Sequence, residues 1–293
     1  MTEQNAVEDV IKAGNPDFVP YDARRLSYAN TFSDPSKVAI IRTIEWVTGK
    51  LPLIRRIRRF EKLGAPQGHA FFTQALSVMN ITVTTPEEHT AKIPATGPLV
   101  VVANHPHGLT DGLVMAELIG RVRTDYKILT RSLLTGIPEI DPFMLPVPFP
   151  HEEDSHRKSI SMRNEAMAQL KAGGVIVLFP AGAVSASATL FGPVIEKEWN
   201  PFTAKMILKS GATVLPIYFP GRNTRLYQVA DKISATFRQG LLLHEIARSM
   251  NKPQSPIIGD PIPAEELGEW KSNPRGFMSW LRGHTLALGG RTD

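Results

Sequence analysis

Residues 99–112 read Leu99-Val100-Val101-Val102-Ala103-Asn104-His105-Pro106-His107-Gly108-Leu109-Thr110-Asp111-Gly112. Five apolar residues, three of them β-branched, then stop at once for Asn, Pro and Gly. This is the pattern of a strand buried on both faces, followed by a turn. Helical spacing follows over 112–122, so the stretch predicts strand, loop and helix in succession. Working outward, the same alternation recurs. Tyr126–Thr130, Val175–Phe179 and Val214–Phe219 are strand-like. Ser155–Ala172, Trp199–Lys209 and Arg275–Leu288 are helical, with Gly173-Gly174 and Gly211 as stops. The expected fold class is therefore α/β: a mixed, mainly parallel sheet covered by helices on both faces.

N-terminal to this region the texture differs. Residues 1–35 read as loosely ordered, with Asn15-Pro16, Pro20 and Asp34-Pro35. Residues 36–64 carry two amphipathic segments with a break near Gly49 and Pro52, and Gln67 to Met79 forms another helix. The division implied is an N-terminal segment over 1–80 and an α/β domain over 81–293.

With 293 residues the chain suffices for one large domain or two small ones, and 42% hydrophobic against 21% charged residues excludes wholesale disorder. It contains 0 cysteines, which excludes a disulfide scaffold, a Cys-ligated metal centre and a thiol nucleophile. No apolar run approaches the ~18–20 residues that cross a bilayer. The start, MTEQNAVEDVIKAGNP, has no signal-peptide pattern. The expectation is a cytoplasmic protein, peripheral on the cytoplasmic face of the inner membrane.

The formal net charge is +5, and one short stretch accounts for all of it. Lys50, Arg55, Arg56, Arg58, Arg59 and Lys62 face a single acid, Glu61. Leu53, Ile54, Ile57, Phe60 and Leu63 run through the stretch at helical spacing. A basic amphipathic helix of this kind suits an anionic membrane surface, with Arg55, Arg56, Arg58 and Arg59 on headgroups and the apolar residues in the acyl boundary. Packing of the apolar stripe on the core, with a solvated basic face, is the alternative. Nucleic acid is not expected as a partner, because aromatic interleaving and binding motifs are missing.

In open α/β sheets chemistry collects beyond the carboxyl ends of the strands. Three loops stand there: Asn104–Asp111, Pro180–Ser185, and Pro220–Thr224 with Gly221, Arg222 and Asn223. In the first, His105 and Asp111 can form a base and its orienting carboxylate. His107 is a rival base, and Asp111 or Thr110 could instead cap the following helix. There is no G-x-S-x-G elbow, P-loop or G-x-G-x-x-G. His151, Glu152, Glu153, Asp154 and His156 match no metal-ligand spacing, so no metal is expected.

Taken in order, the blocks resemble the glycerolphosphate/lysophospholipid acyltransferase superfamily. Asn104-His105-Pro106 through Asp111-Gly112 resembles its N-H-(x)n-D motif, Leu178-Phe179-Pro180-Ala181-Gly182-Ala183-Val184-Ser185 its F-P-x-G-x-x-S block, and Val214-Leu215-Pro216-Ile217 its last strand. Lys127 to Pro138 resembles the intervening block, and the likeness covers about 80–262. It is nearest to the branch of ornithine-lipid O-acyltransferases and hemolysin-like proteins, in which G-x-N follows the last strand, as Gly221-Arg222-Asn223 does here.

The resemblance implies that His105 deprotonates a lipid hydroxyl, that Asp111 orients His105, and that Asn104, His107, Gly182, Ser185, Arg222 and Asn223 surround the substrate. It implies an acyl carrier protein or coenzyme A thioester as acyl donor, with no cofactor. The acceptor implied is a lyso-lipid, foremost a lyso-aminolipid with an ornithine, glutamine or sulfonate head. A 1-acyl-glycerol-3-phosphate acceptor, a non-catalytic lipid-binding protein and a thioester hydrolase are the alternatives. Many relatives carry Glu beside the F-P-x-G glycine, where Ala181 and Ala183 stand here. The stretch Leu145-Pro146-Val147-Pro148-Phe149 lacks the phosphate-reading Arg expected of phosphatidic-acid-forming members.

Overall fold

The computed structural model describes residues 20–22, 25–130, 136–148, 154–190 and 192–291. Its centre is a six-stranded sheet built from β1 (Leu99–Ala103), β2 (Tyr126–Thr130), β3 (Met144–Pro146), β4 (Val175–Leu178), β7 (Thr213–Tyr218) and β8 (Ile257–Ile258). A separate antiparallel pair joins β5 (Ala186–Ser187) and β6 (Val194–Ile195). The sheet order is β3-β2-β4-β1-β7-β8, with every pairing parallel except that of β8. The expected mixed, mainly parallel sheet is the one found.

Strand residues alternate between the two faces, and each face feeds its own core. Leu99, Val101, Ala103, Val175, Val177, Leu215 and Ile217 point to one side. There they meet the helices Leu51–Lys62, His69–Val78, Leu109–Gly120 and Leu242–Ser249. Val100, Val102, Ile176, Leu178 and Val214 point to the other, under the helices Ser155–Lys171, Pro201–Ser210 and Pro274–Ala287. Burial on both faces is why these strands read as continuous apolar runs.

The N-terminal helices form one nearly continuous rod. A single π-helical stretch, Trp46–Lys50, links Pro35–Glu45 to Leu51–Lys62, so the expected break is a local widening. Pro52 has no N–H for the carbonyl one turn back. That carbonyl, on Thr48, instead lies 3.2 Å from His244 Nδ1. A Cβ on Gly49 would come within 2.6 Å of the Leu243 and His244 backbone, so glycine here lets another helix cross at close range.

Two expectations need correction. The segment just before this rod is tied down where it is described. Tyr21 N–H donates to Glu61, and Tyr28 N–H and the Ser27 hydroxyl donate to Glu45, at 2.6–2.7 Å. Residues 1–19, 23 and 24 lie outside the described residues. The apolar stripe of the basic helix also faces protein at Leu53 and Phe60, while Leu63 at its end is exposed. Leu53 and Phe60 are buried in the core beside Phe71 and Phe72, because the adjoining helix offers them a complementary surface. Among the described residues no helix is long and apolar enough to cross a membrane.

Candidate active site

Strands β1, β4 and β7 finish level with one another: Val102 pairs with Leu178 and with Pro216, and Ala103 with Ile217. The loops that follow are thereby brought together at the carboxyl edge of the sheet. Asn104 binds two of them to each other. Its amide nitrogen donates to the Phe219 carbonyl at 2.8 Å, and its oxygen accepts Phe219 N–H at 2.7 Å. With both groups committed and the residue 2% exposed, Asn104 is a staple and is not open to substrate, which corrects the sequence expectation.

Asp111 is fully buried in the first turn of the helix Leu109–Gly120. Its Oδ2 accepts backbone N–H groups from His107 (2.8 Å) and Gly108 (3.1 Å), satisfying donors at the helix entrance. The same carboxylate meets both imidazoles, with His105 Nδ1 3.0 Å from Oδ2 and His107 Nδ1 3.0 Å from Oδ1. Capping and orienting are therefore one arrangement. Gly108 makes the reversal possible with φ 74°, a conformation costly for other residues.

Burial opposes ionisation of Asp111, but two imidazoles and their hydrogen bonds outweigh it and hold its carboxyl at about 2. At His107 burial likewise works against the charged form. Attraction and hydrogen bonding from Asp111 prevail, so His107 is raised above the ordinary imidazole range.

The two imidazoles differ beyond Asp111. The His105 ring stacks on Phe179 from the end of β4, with centroids 4.0 Å apart and planes at 21°. His107 lies against Gly221, where an added Cβ would sit 2.6 Å from Nε2; the glycine's φ of 104° suits the same close approach. Asn223 is buried, and with its amide turned so that both its atoms meet suitable partners its nitrogen donates to the Pro106 carbonyl (3.2 Å) and Glu245 (3.3 Å). Arg222 and Gly182 are exposed on neighbouring loops.

Ser185 is 3% exposed. Its N–H donates to the His105 carbonyl at 2.8 Å, and its hydroxyl donates to Glu196. Glu196 was not foreseen. It follows β6 with no motif around it, and only the fold carries it to the site. Its carboxylate also accepts His105 N–H (3.3 Å) and Trp199 Nε1–H (3.1 Å).

Arg55, Arg58 and Arg59 are exposed, whereas Arg56 is half-buried and donates to the Val78 carbonyl (2.9 Å) and Asn251 (3.4 Å). Among the described residues no group of three or more His, Asp or Glu could hold a metal. Asp154 and His156 are exposed, while His151, Glu152 and Glu153 lie outside the described residues, as do residues 131–135 and Phe149.

A family model described as acyltransferase matches residues 58–243. A lyso-glycine lipid O-acyltransferase of Phocaeicola vulgatus is 24% identical over 191 residues, covering 61% of this chain and 64% of that protein. Its counterpart in Bacteroides thetaiotaomicron is 25% identical over 187 residues, covering 61% and 66%. The chain thus matches slightly under two thirds of the length of these relatives. A solved structure of the 1-acyl-sn-glycerophosphate (LPA) acyltransferase PlsC from Thermotoga maritima aligns with a TM-score of 0.48 and 15% identity, over 90% of this chain and 87% of that one.

Proposed function

The chain belongs to the acyltransferase family, and from that premise we propose that it moves a fatty acyl group from a thioester to the free hydroxyl of a lyso-aminolipid. The observation that carries the reading is the His105 Nδ1–Asp111 pair at 3.0 Å, set at the carboxyl edge of the sheet with the ring stacked on Phe179. Asp111 fixes the tautomer and leaves Nε2 of His105 to accept the acceptor's hydroxyl proton. The hydroxyl oxygen attacks the thioester carbonyl. The tetrahedral intermediate expels the thiolate, which takes the proton back from the imidazolium. Asp111 stabilises the charge formed on His105 between these steps. No acyl-enzyme is needed, in keeping with a chain that contains no cysteine. His107, held on the other carboxylate oxygen, keeps Asp111 aligned with His105.

The names of the two relatives favour an amino-acid headgroup, and glycine over the ornithine, glutamine or sulfonate heads expected from sequence. Arg222 supplies a guanidinium of the right chemistry for a carboxylate, one residue beyond the glycine that touches His107. Coenzyme A and acyl carrier protein both offer the required thioester.

We further propose that the N-terminal rod rests on anionic membrane. Arg55, Arg58 and Arg59 are exposed, and the apolar residues open to solvent nearby are Trp46 (54%), Val47 (78%), Leu51 and, at the end of the stripe, Leu63 (59%), while Leu53 and Phe60 pack inward.

The test is direct. Purified protein is given acyl-coenzyme A or acyl-acyl carrier protein with lyso-glycine lipid, with 1-acyl-glycerol-3-phosphate, or with no acceptor, and products are read by mass spectrometry. Acylated glycine lipid is the expected product. Turnover of 1-acyl-glycerol-3-phosphate alone would move the chain to phospholipid synthesis, and free fatty acid without acceptor would make it a hydrolase.

A further inference from the structure

No acid stands beside the glycine of the F-P-x-G block, but one from beyond β6 hydrogen-bonds the serine that ends the block and the backbone of His105. Glu196 is 2% exposed, and both carboxylate oxygens are occupied. One accepts the Ser185 hydroxyl and the backbone N–H of His105; the other accepts Trp199 Nε1–H. The residue is itself anchored, because the Arg282 guanidinium donates twice to its backbone carbonyl, at 2.6 and 3.1 Å.

Isolated carboxylates are rarely buried at this depth, since losing water is costly unless hydrogen bonds replace it. Here three donors do so. Two belong to the motif blocks themselves: His105, the proposed base, and Ser185, which closes the F-P-A-G-A-V-S sequence. Ser185 N–H in turn donates to the His105 carbonyl. The main chain of His105 is thus clamped on both sides, its N–H by Glu196 and its C=O by Ser185. With Asp111 at Nδ1 and Phe179 on the ring face, little freedom remains to the imidazole.

We infer that Glu196 is a positioning residue for His105, holding its backbone directly and through Ser185, and that its charge helps stabilise the imidazolium. The inference rests on the acyl-transfer reading above, in which His105 is the base. Burial, the largest influence, leaves the Glu196 carboxyl raised above its ordinary value, although its hydrogen bonds and the attraction of His105 work against the rise. The other charged groups around His105 are Asp111, His107 on the far side of that carboxylate, and Arg282 behind Glu196; Glu245 and Lys252 act on His107.

Glu196→Gln keeps an acceptor for the His105 N–H and removes the charge. The expected result is a fall in kcat of roughly tenfold with the acceptor KM little changed. The acidic limb of the kcat/KM–pH profile should move to lower pH by roughly half a unit or more, because an imidazolium without its neighbouring anion loses its proton more readily. A structural role alone would leave that limb in place, so an unshifted profile in a folded variant overturns the inference. Ser185→Ala provides a second arm should Glu196→Gln fail to fold: it removes one donor and retains the charge. A kcat several-fold down at constant acceptor KM supports the clamp, and a wild-type kcat refutes it. The His105 ring resonance, followed by NMR against pH in wild type and Glu196→Gln, reads the same coupling without turnover. A wild-type protein inactive on every acceptor, with the His105 titration still shifted by the variant, would reject the acyl-transfer reading while leaving the Glu196–His105 coupling standing.

Discussion

The loop 104–111 and the block 179–185 sit side by side at one sheet edge, but they are completed in different ways. The first closes on itself. Asp111 reaches His105, His107 and Gly108 within the loop's own span. The second carries no acid of its own, with Ala181 and Ala183 beside its glycine. Its closing serine bonds Glu196 from beyond β6, which Trp199, just before the next helix, holds in turn. A self-contained loop keeps its chemistry legible as a motif. A block completed from outside shows only a gap in its sequence.

The comparison can be broken at its strongest point first. Replacing His105 with Ala should reduce acyl transfer by on the order of 10⁴-fold, the scale of a lost base with its paired acid. Thermal unfolding should stay near wild type, because the side chain is partly exposed and fills no core. An inactive His107→Ala beside an active His105→Ala would exchange the roles of the two imidazoles.

Asp111→Asn retains the shape and loses the charge. A fall of about 10³-fold in kcat is expected, since the imidazolium forms without its counterion. A near-normal rate would reduce Asp111 to a helix cap and remove the chemical half of the comparison.

The N-terminal rod offers a third region against which to sharpen it. Substituting Ala for Arg55, Arg58 and Arg59 should weaken binding to anionic vesicles by about 10²-fold, at about 1 kcal/mol for each basic residue near the surface. High salt should mimic the loss. Arg56→Ala should instead lower stability, because that guanidinium is bonded to Val78 and Asn251. Vesicle sedimentation unchanged in the triple variant would return the rod to a purely structural role.

The smallest effect lies in acid. Asp111 falls from an ordinary 3.8 to about 2 on folding, so it adds about 2 kcal/mol of stability at pH 7. That contribution is complete above the unfolded value and disappears as pH drops from about 4 toward about 2. Urea denaturation at pH 7 and pH 3 should show the gap between wild type and Asp111→Asn narrowing at the lower pH.

The four inner strands of the main sheet and the long helices beside them were legible because their causes are local. Val100–Val102 and Val175–Val177 are β-branched runs with turn residues after them, and observed boundaries fall within a few residues of those expected. The short strands β3, β5, β6 and β8 and the helices between 225 and 249 were not read. Two or three residues of edge strand carry no period, and those helices are held mainly by partners distant in sequence, as Thr224 and Asn223 are by Glu245.

What the sequence determined by itself is the sheet's central strands, the expectation of helices on both faces, and the juxtaposition of His105 with Asp111. Apolar run length, glycine placement and short loop closure depend on neighbours along the chain. Tertiary structure alone decided that Asn104 is a staple, that Leu53 and Phe60 face protein, and that Glu196 meets Ser185 and the His105 backbone. The reason is the same in each case. A side chain's role depends on which partners surround it, and here the partners arrive from strands and helices far along the chain, brought to one edge by parallel pairing of β1, β4 and β7.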